Sequence, residues 1–358
     1  MPPRPFRDGF DSDGLYIIAE AGVNHNGDLD TALEMVEAAK ASGADAVKFQ
    51  TWITEQVYGR DSLKPAYQNA GTDPNESEFD TVKRNELSFG AFRTLKKHCD
   101  KVGITMLSTP DEWKSADFLI DGLKLPAIKI ASQDVNNLPF LRYLASRRTP
   151  LIYSTGTASL AEVATAVDAM LAAGCPALAA LHCTSCYPAP LGSVNLRAIA
   201  TLREALRIPV GYSDHTLGVE MGGAAVALGA CILEKHFTLS RRMPGPDQQA
   251  SLEPGELREY VASARRVKSA LGDGVKVLRP EEAGNRRAMR RYLAASRDLP
   301  AGRVLRAKDL ALMKITYGLG PESHDLVVGA KLKRALRAGE RIRLDNLAFA
   351  SDAGFVKA

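Results

Sequence analysis

Aromatic side chains are scarce in this chain, at 6% of 358 residues with only two tryptophans. Long apolar runs are missing as well. No stretch approaches the roughly 18 uninterrupted apolar residues of a membrane-spanning helix, so no span is expected. The opening MPPRPFRDGF carries no apolar run of signal-peptide length, and a cytoplasmic protein is the expectation. Cysteine is sparse too. Cys99, Cys175, Cys183, Cys186 and Cys231 are an odd number in a long chain and do not read as a disulfide framework. Cys183 and Cys186 form a C-x-x-C, but no second pair follows, and a closed structural zinc site takes four ligands. Net charge is small, at +4. It is unevenly spread: residues 285–343 hold fifteen Lys/Arg against five Asp/Glu, an excess of ten that leaves the remainder at −6. That basic stretch has no nucleic-acid-binding motif and few aromatics, which argues against a nucleic-acid partner.

What the chain does have is a repeating grammar. Eight short apolar or β-branched runs each end in a polar cluster and are mostly separated by helix-like, Ala- and Leu-rich segments. The runs are Tyr16–Ala19, Ala46–Phe49, Thr105–Leu107, Ala127–Ile130, Leu151–Tyr153, Leu178–His182, Val210–Tyr212 and Cys231–Leu233. Eight β/α alternations in about 260 residues predict an α/β protein built as a (β/α)8 TIM barrel; a doubly wound open sheet is the rival. In a barrel the carboxyl ends of all strands ring one face, where active sites sit. The polar clusters then converge: Glu20, Lys48, Gln50, Thr109, Lys129, Ser132, Ser154, Ser185, Ser213, His215, Glu234 and His236.

Two chemistries follow. His215 and His236 end consecutive strands, and two imidazoles with open positions beside them suit a divalent Lewis acid. Glu234 shares the face of His236 by strand alternation. Lys48 and Lys129 are flanked by apolar residues, and a lysine inside a barrel is costly unless it meets an anion. With the surrounding hydroxyls and Gly156, they suit a carboxylate plus phosphate. Pairing with Glu20 or Asp134 is the structural alternative. Read from the residues alone, phosphoenolpyruvate condensation, class II aldol chemistry and phosphosugar isomerisation all stay open.

The remaining features set the outline. Residues 60–85 form a polar, Gly/Pro/Asn-rich insertion after the second run, expected to lie over the active face as a lid. The predicted boundaries are a barrel over 1–280, a linker over 281–291 containing basic Arg286–Arg291, a small mostly β domain over 292–350, and a tail over 351–358. The small domain draws its expected strands from Tyr292–Ala295, Arg303–Leu305, Leu310–Thr316, Leu326–Val328 and Arg341–Leu344.

The order of AEAGVNHNGDL, DAVKFQT, KIASQDVNNLP, STGTASLAEV, LHCTSCYPAP, VGYSDHTLG, LEKHFTL and GPDQQASLEP across residues 16–257 resembles the sialic acid synthases. These are phosphoenolpyruvate-dependent makers of nine-carbon keto sugars. DLPAGRVLRAKDLALMK and LVVGAKLKRALRAGERI are similar to their C-terminal SAF (antifreeze-like) domain. The resemblance implies a transferase that joins phosphoenolpyruvate to an N-acylated hexosamine such as N-acetylmannosamine; related syntheses of legionaminate or pseudaminate, or a non-catalytic carbohydrate-binding barrel, are the alternatives. It places phosphoenolpyruvate on Lys48, Thr109, Lys129, Ser132, Ser154, Ser185 and Ser213, and the metal on His215 and His236, manganese first with magnesium or cobalt as alternatives. It gives Glu20, Gln50, Tyr187, Glu234 and Asp247 to the sugar, with Asp134 beside the substrates and Glu20, Glu234 and Lys129 as catalytic groups. It further implies a domain-swapped homodimer. Three positions depart from the family pattern: Ser185 where neuraminate makers often carry Asn, Asp111 where Phe is usual, and Ile315 where the SAF domain carries Arg.

Overall fold

A computed structural model describes residues 10–65, 72–73 and 75–349. The chain separates into two compact units that divide between Gly272 and Asp273.

The first unit holds eight strands: β1 (Tyr16–Gly22), β2 (Ala46–Thr51), β3 (Thr105–Pro110), β4 (Ile128–Ile130), β5 (Leu151–Ser154), β6 (Leu178–Cys183), β7 (Val210–Asp214) and β8 (Ile232–His236). They pair in the order β3-β2-β1-β8-β7-β6-β5-β4, and every pairing is parallel. Strands β3 and β4 lie side by side and close the ring without a hydrogen-bonded ladder. The expected TIM barrel is therefore present, nearly closed.

Helices form where the sequence supplies caps. Asp28 accepts from the Thr31 amide at the start of Leu29–Ala41, and Ser159 and Glu162 form a reciprocal capping box on Leu160–Ala172. Phe89–Val102 begins on Ser88 and stops at Gly103, whose φ of 77° is left-handed.

Strand alternation decides what the barrel contains. One parity (Ile17, Ala19, Val47, Phe49, Met106, Ile128, Tyr153) packs outward into the helices as the main core. The other parity faces inward. Its lower layer is apolar: Ile18, Ala46, Leu107, Ala127, Ile152, Leu181 and Ile232 form a separate buried cluster. Two residues further along the same strands come Glu20, Lys48, Thr109, Lys129, Ser154, Cys183 and Glu234. An apolar plug thus supports a polar layer at the carboxyl ends.

The second unit pairs β9 (Tyr292–Ala295) with β10 (Leu310–Met313), and β11 (Lys331–Leu332) with β12 (Leu347–Ala348), both antiparallel. Its core gathers Leu293, Leu299, Leu305, Val327, Leu336 and Ile342. Buried Asp309 ties it together through Arg297 (2.7 Å) and Arg303 (2.9 Å). Two expectations need correction. Leu326–Val328 is not a strand: a turn over Pro321–Ser323 leads into the helical turn His324–Val327. Arg303–Leu305 and Arg341–Leu344 supply single bridges, Val304 to Lys331 and Ala294 to Arg341. The basic connector is helical over Ala283–Met289, with Glu281 and Glu282 just before it complementing the helix N-terminus.

Candidate active site

Register brings the polar layer together. Glu20 on β1 stands opposite Lys48 on β2 and His236 on β8, while Ser213 on β7 stands opposite Cys183 on β6 and Glu234 on β8. A cavity of about 490 Å3 opens above them. Glu20, Lys48, Gln50, Thr109, Lys129, Ser132, Ser154, Ser185, Tyr187, Ser213, His215, Glu234, His236 and Asp247 all line it. Asp134 does not. Its Oδ1 accepts from Asn137 Nδ2 at 2.9 Å in the turn after β4, and it pairs with neither lysine.

The centre is a buried quartet of charge. Lys48 Nζ lies 2.8 Å from Glu20 Oε2 and 3.7 Å from Glu234 Oε2, and it donates to Thr109 Oγ1 at 3.1 Å. Lys129 Nζ lies 3.3 Å from Glu234 Oε1 and donates to Ser154 Oγ at 2.7 Å. Ser213 Oγ donates to Glu234 Oε1 at 2.9 Å. The two carboxylates are held apart in acidity. Burial pushes Glu20 up to about 7, with Lys48 opposing and Glu234 adding. Glu234 suffers the same burial, but Lys129 and then Lys48 hold it down at about 2. Burial lowers the Lys129 pKa against the pull of Glu234.

Hydroxyls surround the lysines. The Gly156 amide donates to Ser132 Oγ at 3.0 Å. A Cβ on Gly156 would sit 2.2 Å from Ser185 Oγ and 2.8 Å from Ser132 Oγ, so glycine lets the turn after β5 approach this cluster.

The histidine rings lie 5.4 Å apart, centroid to centroid, with Tyr187 4.1 Å from His215 and 5.6 Å from His236. His215 Nδ1 donates to Thr184 O at 2.9 Å, which leaves Nε2, 3.3 Å from Ser213 Oγ, as the nitrogen that can ligate. The buried Nδ1 of His236 and Oδ1 of Asp247 have no hydrogen-bond partner, and Asp247 Oδ2 is 4.0 Å from His236 Nδ1. Burial, His215 and Lys48 keep His236 neutral, its pKa well below the ordinary value. Neutral imidazole is the ligating form. Burial opposes charge on His215, but Cys183, 3.8 Å away, outweighs it and raises the pKa of the ring. No group of three or more His, Cys, Asp or Glu side chains forms a closed metal cage among the described residues. The donor set fits an ion held by two imidazoles with positions left to water and substrate.

Several lining residues were not anticipated. Asp111, just beyond β3, has its carboxyl pushed up to about 8 by burial, with Asp134 adding. Cys183 follows Leu181 on the inward parity, a signal the alternation carries. Trp52, Tyr58, Pro65, Glu78, Thr81, Val82 and Asn85 come from the segment after β2. Part of the 60–85 insertion is therefore a cavity wall built on the helix Glu78–Asn85; residues 66–71 and 74 lie outside the described residues. The five cysteines are free thiols, Cys186 exposed and Cys183 buried, so the C-x-x-C makes no disulfide.

Two lysines, two imidazoles and two carboxylates of opposed acidity in one barrel mouth agree with the motif order, and comparison with known proteins decides the family. The NeuB family profile matches residues 35–276, and a SAF domain profile matches residues 290–348. The chain belongs to the NeuB family. It is 40% identical to the N,N'-diacetyllegionaminic acid synthase of Legionella pneumophila over 336 residues, covering 93% of this chain and 94% of the relative. It is 36% identical to the N-acetylneuraminate-9-phosphate synthase of Homo sapiens over 88% of each chain. A crystal structure of N-acetylneuraminic acid synthetase from Leptospira borgpetersenii, in complex with citrate, superposes with a TM-score of 0.69 at 35% identity, covering 78% of this chain and 93% of that one. The family and the SAF domain expected from the motifs are both present. In the SAF unit of this NeuB-family chain, Ile315 holds the position where arginine was expected, and the Arg341 guanidinium stacks 4.1 Å over Tyr317 nearby.

Proposed function

We propose that this NeuB-family enzyme condenses phosphoenolpyruvate with an N-acylated hexosamine of the N-acetylmannosamine type, giving a nine-carbon sialic-acid-type keto sugar and phosphate. The observation that carries the reading is the pair of buried lysines on β2 and β4, ringed by hydroxyls and set beside an imidazole pair.

Lys48 and Lys129 hold the phosphate and carboxylate of phosphoenolpyruvate, helped by Thr109, Ser132, Ser154, Ser185 and Ser213. Such an anion has to displace their contacts to Glu20 and Glu234. Gln50, Tyr187 and Asp247 orient the sugar with its aldehyde toward the histidines. His215 and His236 hold a divalent ion, manganese first with magnesium or cobalt as alternatives, which when bound supplies Lewis-acid polarisation of the aldehyde. C3 of phosphoenolpyruvate forms the new bond to the aldehyde carbon, whose oxygen takes a proton and becomes a hydroxyl. The cation left at C2 takes up water. The tetrahedral adduct then breaks its C2–O bond and releases phosphate. Glu234, ionised at every working pH, places the water and stabilises positive charge at C2. Glu20, poised near neutrality beside Gln50, handles the protons.

A second reading, a legionaminate-type acceptor carrying a second acylamino group, is favoured by the higher identity to the Legionella relative, 40% against 36% for the human one. A cytoplasmic, domain-swapped homodimer completes the proposal, supported by the family membership. Incubating the full chain and manganese with phosphoenolpyruvate and each amino sugar tests the reaction. Phosphate release must require both substrates, and phosphoenolpyruvate labelled with 18O at its bridging position must pass the label to phosphate. Label retained in the keto sugar refutes the C2–O cleavage.

A further inference from the structure

Behind the imidazole pair, on the outer side of the barrel wall, lies a charge pair that the proposed reaction does not use. Strand alternation turns Lys235 away from the cavity, since its neighbours Glu234 and His236 line it. Lys235 Nζ lies 3.1 Å from Asp214 Oδ1, and both side chains are wholly buried. Among the described residues, no other outward-facing position of β1–β8 carries Asp, Glu, Lys or Arg; most hold core aliphatics or aromatics. Two further contacts tie the pair to the chain around His215. Lys235 also donates to the carbonyl oxygen of Thr216. Asp214 Oδ1 accepts from the Thr216 amide at 2.9 Å and from Thr216 Oγ1 at 2.7 Å. The register of β7 on β8 ends at Asp214 opposite Lys235, so His215 stands one residue past it. One ammonium, next in sequence to His236, therefore grips the residues on both sides of His215. Packing holds the ammonium in turn. Its Nζ sits 5.7 Å over the Tyr260 ring, and a Cβ on Gly222 would lie 2.4 Å from Tyr260 Cζ, so the ring has no room to shift that way.

We propose that Lys235 and Asp214 are positioning residues that set the spacing of His215 and His236 for a divalent ion. The inference rests on the metal site of the synthase reading and deepens it. Helix packing alone does not explain the pair, because well-packed apolar residues of similar volume hold a core at least as well as a buried ion pair. An apolar pair, however, makes no bond to the backbone of residues 214–216. The ammonium supplies donors and the carboxylate acceptors, and together they fix both the amide and the carbonyl of Thr216. On the other side, Thr184 O aims the His215 ring through Nδ1. Backbone position and ring direction are then both set, as two imidazoles sharing one ion require.

The test measures manganese affinity of the metal-stripped full chain by calorimetry, with urea unfolding and the KM for phosphoenolpyruvate at saturating manganese as controls. Lys235→Met alone leaves Asp214 buried without its cation, so the deciding variant combines Asp214→Leu with Lys235→Met and removes both charges together. It is expected to keep a urea midpoint near that of the wild type and a KM for phosphoenolpyruvate within about threefold, while manganese binds about 10- to 100-fold more weakly, the range for lost outer-shell partners of metal-ligating histidines. If the double variant does not fold, Asp214→Asn decides: it keeps an oxygen for Thr216 but not the charge, and a loss of at least about threefold in manganese affinity is expected. Manganese affinity equal to that of the wild type in the folded variant overturns the inference and leaves the synthase reading standing. A loss matched by an equal rise in the KM for phosphoenolpyruvate overturns it too, because it marks a general collapse of the site. A wild-type chain that binds no divalent ion sinks the metal assignment and this inference with it.

Discussion

Lys129 Nζ lies between Glu234 Oε1, at 3.3 Å, and Ser154 Oγ, at 2.7 Å, so one buried cation is shared by a carboxylate from β8 and a hydroxyl from β5. Removing it leaves Glu234 buried with only Lys48, 3.7 Å away, as a cationic partner. Lys129→Ala is expected to raise the KM for phosphoenolpyruvate at least tenfold, far more than the KM for the sugar, and to cost roughly 3 kcal/mol of stability as a broken buried pair. Steady-state kinetics and urea unfolding check both. Equal effects on the two KM values count against the anion pocket.

His236 is one of two imidazoles in the proposed metal site, and its Nδ1 has no protein hydrogen bond. His236→Ala is expected to abolish divalent-dependent turnover and to weaken manganese binding by at least tenfold in calorimetry on the metal-stripped protein. Chelation of the wild-type enzyme should reproduce the kinetic loss, reversed by adding metal. Unchanged activity of the variant in metal-defined buffer refutes the ligand assignment.

Gly156 has no room for a side chain, since its Cβ would meet the hydroxyls of Ser185 and Ser132. Gly156→Ala should push those hydroxyls out of the anion cluster. A rise of about tenfold in the KM for phosphoenolpyruvate is expected, with a kcat change of less than threefold. A variant with wild-type kinetics shows that the cluster does not touch the anion.

His25, in the turn after β1, sets a pH dependence of stability. Burial lowers its pKa to about 4 despite Asp28 nearby, and Nδ1 accepts from the Gly27 amide. The unfolded chain takes up this proton below about 6.5, the folded chain only below about 4. Its contribution is therefore complete above pH 6.5 and is lost as pH falls toward 4, about 3 kcal/mol in all. Urea midpoints at pH 7.5 and 4.5 should differ less in His25→Asn than in the wild type. Identical slopes remove His25 from the account.

The legible part of this protein is what period-two alternation carries. Ile18 then Glu20, Ala46 then Lys48, Ala127 then Lys129 and Ile232 then Glu234 state, from sequence, that polar groups top an apolar barrel floor. The family resemblance, not the alternation, named Ser132, Ser185, Tyr187 and Asp247, which lie beyond the strands and also line the cavity. The second unit was less readable. Leu326–Val328 looks like a strand locally, yet the preceding Pro321–Ser323 turn winds it into a helix, because a two- or three-residue apolar run has no period of its own.

By itself, the sequence determined the eight-fold β/α count, the inward parity of the lysines, histidines and glutamates, and the family. Tertiary structure alone decided which charges meet and in which state. Asp134 turns to Asn137 instead of a lysine, while Asp111 and Glu78 join the cavity. Glu20 near 7 and Glu234 near 2 carry the same carboxyl group; their difference comes from burial weighed against distances to Lys48 and Lys129. Such distances run between residues up to 186 positions apart, and only the closed barrel sets them.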